Sequence, residues 1–189
     1  MSHSLRVALL ASAAARDAAA LAEGLSMAGQ LPTLMATDPA GASPGTHVVR
    51  LRRLADKALR LRGLGDDVAH LPHARVALAR GRFDLAHAFG AVDALPAIAW
   101  ARRSRRPAVL TFVEPLERET IANRRLRLAT LERAVHGADV VLAANEEVRS
   151  SLRRLLALEA SVIAPSDAAR HLSLYRELGA DYTRPSAAW

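Results

Sequence analysis

The chain has 189 residues, enough for one well-covered core and short for two full domains, and its 51% apolar and 24% charged residues give a globular balance that excludes disorder. It has no cysteine, which excludes a disulfide framework, a thiolate zinc site and a cysteine nucleophile. The net charge of +7 would favour phosphates, nucleic acid or an anionic membrane, but Lys57 is the single lysine and alanine abounds, so the arginine excess first reflects a GC-rich genome.

Residues 5–11 form an apolar run of strand length, and residues 13–28 carry helix formers until Gly29 stops them. Residues 32–37 read as a second strand, 38–45 as a loop and 47–50 as a short strand. Over 51–62, Leu51, Leu54, Ala55, Ala58 and Leu61 keep helical spacing until Gly63 and Gly65, and a further helix is predicted over 67–79. A turn at Gly81 enters a buried strand through 88, followed by a helix over 91–102 and a strand at 107–112. The longest helix is predicted over 116–135, then a strand at 138–143, a helix to 156 capped by Asn145, and a short strand at 160–163.

Strands alternating with helices at this spacing need crossover connections, which predicts an α/β, doubly wound, mostly parallel sheet with helices on both faces. Ligands of such a sheet sit at the carboxyl ends of its strands, which groups Ser12, Asp38, His87, Phe89, Gly90, Thr111, Glu114 and Asn145 near one rim.

The run RFDLAHAFG at 82–90 resembles the "FDVVHAHG" strand and turn of family 4 glycosyltransferases of GT-B fold. RPAVLT at 106–111 is similar to that family's "RPVVLTVH" strand, and ADVVLAAN at 138–145 to its "ADVVIAVS". Order and spacing match the family's N-terminal, acceptor-side domain, and the likeness runs from Leu5 to about Ile163. The resemblance implies a Rossmann-like, single GT-B-type half over 1–164, a helix at 165–180 that packs back on it, and a tail at 181–189. A complete enzyme of this type binds its nucleotide-sugar in a second, C-terminal domain. Here SVIAP at 161–165 leads directly into a segment like the helix that ends such enzymes, which implies an internal deletion of the donor domain.

The sequence departs from the family pattern where a ligand would be held. The turn after the first strand reads SAAARD at 12–17 and lacks the glycines that let a phosphate approach the backbone. Phe89 replaces the second histidine of the "HAH" pattern, and FVE at 112–114 replaces a polar "VH". Both changes remove an imidazole that could donate to a phosphate or handle a proton. The expectation is a domain inactive alone that needs a separately encoded donor domain; the alternative is a non-catalytic binding or regulatory module for a protein partner, an anionic ligand or a membrane.

Among single residues, His87 either lines the cleft or is hydrogen-bonded within the sheet end, and Asp93 and Glu114 are candidate cleft carboxylates that can equally serve a helix start or a loop. His70 and His73 lie one helical turn apart without a third ligand, so no metal and no cofactor is expected. The segment 50–62 sets six basic residues against Asp56, which makes Arg52, Arg53, Lys57 and Arg60 candidate contacts for an anionic membrane surface. Nucleic acid is not expected, because aromatic residues are only 4% and no stacking motif accompanies the arginines. The opening apolar run is too short to span a bilayer and lacks signal-peptide order, so the expected location is the cytoplasm, with a peripheral position at the inner membrane face open to the basic helix.

Overall fold

The computed structural model describes residues 4–39, 41–52, 68–118 and 125–183. Seven strands form one parallel sheet: β1 (Arg6–Ala11), β2 (Leu31–Ala36), β3 (His47–Arg50), β4 (Leu85–Phe89), β5 (Ala108–Phe112), β6 (Val140–Ala143) and β7 (Ser161–Val162), in the order β3-β2-β1-β4-β5-β6-β7. The α/β, doubly wound architecture expected from the sequence is therefore present. Six described helices connect or cover the strands: α1 (Ala15–Met27), α2 (Leu71–Arg80), α3 (Ala91–Ser104), α4 (Arg125–Gly137), α5 (Glu146–Leu156) and α6 (Ala168–Thr183).

Parallel strands covered on both faces need apolar residues at successive positions, and β4 and β5 are buried at every residue. Side-chain alternation then sorts the core in two. Ala86 and Ala88 of β4 face one layer with Leu110, Ala97 of α3, Leu131 of α4 and Leu152 of α5. Leu85 and Phe89 face the other, with Leu9, Leu21 of α1 and Tyr175 of α6. The crossovers after β3, β4, β5 and β6 thus supply the first layer, whereas the second is built from α1 and from α6, the last described element. Gly24 makes their close approach possible, since a Cβ there would stand 2.6 Å from the Cβ of Ala168.

Two boundaries differ from the sequence reading. The helix predicted over 67–79 begins at Leu71, because Pro72 fits a helix only in its first turn and disfavours helical backbone in residues before it. The helix predicted from 116 does not include Leu116, whose N–H donates to Ser151 Oγ at 3.0 Å. Most of the helix predicted over 51–62 lies outside the described residues.

Candidate functional site

Because all strands run parallel, their carboxyl ends share one rim, and the strand order reverses between β1 and β4, where β1 pairs with β2 on one side and β4 on the other. The crevice outside such a reversal is where open parallel sheets hold ligands. Ser12 follows β1 there, Gly90 follows β4, and Asp93 occupies the third position of α3.

Asp93 is buried and fully engaged. Its Oδ2 accepts from the backbone N–H and the Oγ–H of Ser12, each at 2.8 Å, and its Oδ1 accepts from His70 Nε2–H at 2.7 Å. A carboxylate only accepts, so His70 carries its proton on Nε2. Thr37 Oγ1–H donates to the Ser12 carbonyl at 3.2 Å and ties the end of β2 to the same turn. In a phosphate-binding turn the amide after the first strand faces the ligand, and the next helix N-terminus supplies positive potential. Here the Ser12 amide is taken by the chain's own carboxylate, which already sits in the first turn of α3. Asp93 positions the turn and fixes the tautomer of His70.

Gly90 has φ +115° and ψ 157°, a conformation open essentially to glycine alone, and its N–H donates to the Thr111 carbonyl at 3.0 Å. That strained residue swings the chain from β4 into α3 and sets Asp93 over the crevice.

His87, Phe89 and Thr111 do not reach the rim, because alternation turns all three into the layer under α6. His87 is buried, with Nδ1 2.6 Å from the Tyr175 hydroxyl and Nε2 2.6 Å from Thr111 Oγ1. The Phe89 ring stacks on its imidazole at 4.6 Å. His171 lies beside it, ring centroids 5.3 Å apart, and neither of its ring nitrogens has a hydrogen-bond partner among the described residues. Burial, helped by the neighbouring His171, holds His87 well below the usual histidine range. Burial likewise lowers His171 to about 4, with Arg170 adding to the effect and the Ala164 carbonyl and Asp167 opposing it. Burial raises the Tyr175 hydroxyl well above its ordinary value. The cluster is thus neutral, and it bonds the closing helix to the middle of the sheet.

Asp38, Glu114 and Asn145 are exposed beyond β2, β5 and β6. Asn145 Oδ1 accepts from Val148 N–H at 2.9 Å and caps α5, as the sequence predicts. His73 Nδ1 accepts from the N–H of Arg52 at 2.7 Å, so it does not converge with His70. Among the described residues no group of three or more histidine and acidic side chains could hold a metal. Arg52 is exposed, and Arg53, Lys57 and Arg60 lie outside the described residues. No described helix is long and apolar enough to cross a membrane. The site residues predicted from the sequence do not include Tyr175, His171 or the pairing of His70 with Asp93. The signal for the first two is their i, i+4 spacing on one face of the last helix, opposite a strand whose i, i+2, i+4 positions are Leu85, His87 and Phe89.

A seven-stranded parallel sheet of this order, with its last helix folded back beneath the switch point, is one Rossmann-like half of the GT-B glycosyltransferase architecture. The family model described as Glycosyltransferase Family 4 matches residues 14–171, and the chain belongs to that family as a sugar-transferase-like domain. A sucrose-phosphate synthase structure from Thermosynechococcus elongatus, designated 27_220_406_426, is similar with TM-score 0.60 at 19% identity, over 92% of this chain and 98% of that one. The same synthase without those ranges aligns with TM-score 0.56 at 17% identity, over 85% of this chain and 47% of that one. MurG of Acinetobacter baumannii aligns with TM-score 0.52 at 14% identity, over 85% and 45%. The chain therefore spans less than half the length of the last two, and likeness at these identities concerns the fold. No curated protein matches it in sequence.

Proposed function

We propose that this chain is the acceptor-side domain of a sugar transferase from which the donor domain has been excised between β7 and α6, and that it works in sugar transfer only with a donor-binding domain on another polypeptide. The observation that carries this reading is the junction: five residues, 163–167, separate β7 from α6, and α6 packs on α1 and on His87. The synthase structure designated by two separate ranges supports it, because the chain covers almost all of that structure and about half of the undivided synthase. In this reading the rim holds an acceptor, and the phosphates of a nucleotide-sugar lie with the partner, consistent with a Ser12 amide that is already bonded to Asp93. Transfer then depends on positioning and on stabilising the leaving diphosphate, most of which the partner supplies.

A second reading, a non-catalytic binding module, is favoured by the engagement of both His70 and His87 in buried hydrogen bonds. One experiment separates the two. The chain is assayed with a panel of nucleotide-sugars and acceptors, alone and mixed with separately produced donor domains of family 4 enzymes. The expected result is turnover in a mixture and none from the chain alone. Turnover by the chain alone overturns the divided enzyme, and inactivity across all mixtures leaves the binding module.

A further inference from the structure

At the amino-terminal edge of the sheet, opposite the rim, lies a groove of about 850 Å³ that no part of the acceptor-domain reading uses. Its walls are the start of β1, the turns that lead into β4 and β5, and the carboxyl-terminal halves of α2 and α3. Five arginines converge on it: Arg6, Arg75, Arg82, Arg103 and Arg106. Among the described residues that line it, the one acidic side chain is Asp84, which is already committed. Its Oδ2 accepts from the Arg6 backbone N–H at 2.9 Å, and its Oδ1 lies 3.7 Å from Arg106. Arg75, Arg82 and Arg103 are exposed, and their side chains make no hydrogen bond or ion pair among the described residues.

Like charges gathered in one concavity repel, and the bland account is that they answer the negative carboxyl ends of α2 and α3. Each helix end carries roughly half a charge, so two ends offset about one arginine. After Asp84 an excess of about three positive charges remains. A single carboxylate or phosphate monoanion cannot match that, whereas two adjacent phosphates do. Guanidinium groups present planar forks suited to phosphate oxygens. The groove also has an aromatic wall, with Trp100 and Phe83 edge to face at 6.2 Å and both half-buried, which offers a flat surface to a ring. A concave site of this volume fits a small molecule rather than a flat bilayer.

We propose that this groove binds a soluble ligand bearing two or more adjacent phosphates, held by Arg75, Arg82 and Arg103 with Trp100 at its flank. The site is independent of the rim and of any donor-domain partner. Trp100 reports on it directly once Trp189 is replaced, since the chain has two tryptophans. In a Trp189→Phe background, pyrophosphate and ADP are titrated by fluorescence and calorimetry. Saturable quenching is expected, with Arg82→Gln plus Arg103→Gln weakening binding about tenfold or more. Arg149→Gln plus Arg154→Gln, which removes the same charge from α5, is expected to change it less than about twofold. Circular dichroism confirms that all variants fold. Absence of saturable binding, equal loss in the α5 variant, or binding confined to phosphatidylglycerol vesicles would each overturn the proposal.

Discussion

The two faces of the sheet are built on different plans. Under α2, α3, α4 and α5 the core is almost wholly aliphatic, and each helix reaches it through the crossover that its own strand requires. Under α1 and α6 the core contains a hydrogen-bonded imidazole, a threonine and a tyrosine, with a second imidazole beside them. Part of that face is covered by α6, which follows all seven strands. The first face packs by hydrophobic shape and keeps its polar contacts, such as those of Asp93 with Ser12 and His70, outside the aliphatic cluster, whereas the second carries polar partners within its core, matched across 88 residues. Damage to the second should therefore be more specific and more sensitive to pH.

The largest effect is expected from Tyr175→Ala, which empties a fully buried aromatic site and leaves His87 Nδ1 without its partner. A loss of about 3–5 kcal/mol in urea unfolding is expected, within the range for large-to-small core changes. If the loss stays under about 1 kcal/mol, α6 does not cover the sheet as described.

Next comes acid. In the unfolded chain a histidine takes its proton near the ordinary value of 6.5, whereas His171 in the fold does so at about 4. Between those values the unfolded state binds more protons, so stability rises with pH there. The contribution is fully present above 6.5 and is lost as pH falls toward 4, amounting to roughly 3 kcal/mol. His87 is displaced in the same direction and adds to the slope. His171→Leu should flatten the dependence of unfolding free energy on pH in that window. An unchanged slope would remove His171 from the account.

A smaller and sharper contrast compares the two faces by conservative changes. Tyr175→Phe keeps the ring but leaves a buried imidazole nitrogen unsatisfied, at a cost of about 1–3 kcal/mol. Leu110→Met, on the aliphatic face, keeps its volume and should cost less than about 1.5 kcal/mol. Thermal melting of both against the parent protein ranks them. The least effect is local: Asn145→Ala removes the cap of α5 and should cost about 1 kcal/mol.

The same contrast explains what the sequence makes readable. The aliphatic face is legible because its evidence is local: strand-length apolar runs such as that of β5, helices with regular spacing between them, and a cap at Asn145 three residues before the amide it serves. The rim follows once the strands are parallel, which places Ser12 and Gly90 at the switch point. The buried cluster is different. Whether His87 faces a cleft or a helix depends on what covers β4, and that helix lies 88 residues away. Nothing in the pattern around residue 87 encodes it. Likewise Asp93 looks like a helix-start carboxylate, and its bonds to Ser12 and His70, 81 and 23 residues distant, exist only in the fold.

The 88-residue span from His87 to Tyr175 also has a consequence in time. A ribosome adding roughly 5–20 residues per second needs about 4–18 s to make that length. For those seconds the strand can pair and its aliphatic face can acquire covers as they emerge, while His87, Phe89 and Thr111 stay open to water beside the apolar side chains of the same layer. The nascent chain is thus vulnerable on one side only, and a chaperone that guards it would be expected to bind the side that α6 later closes.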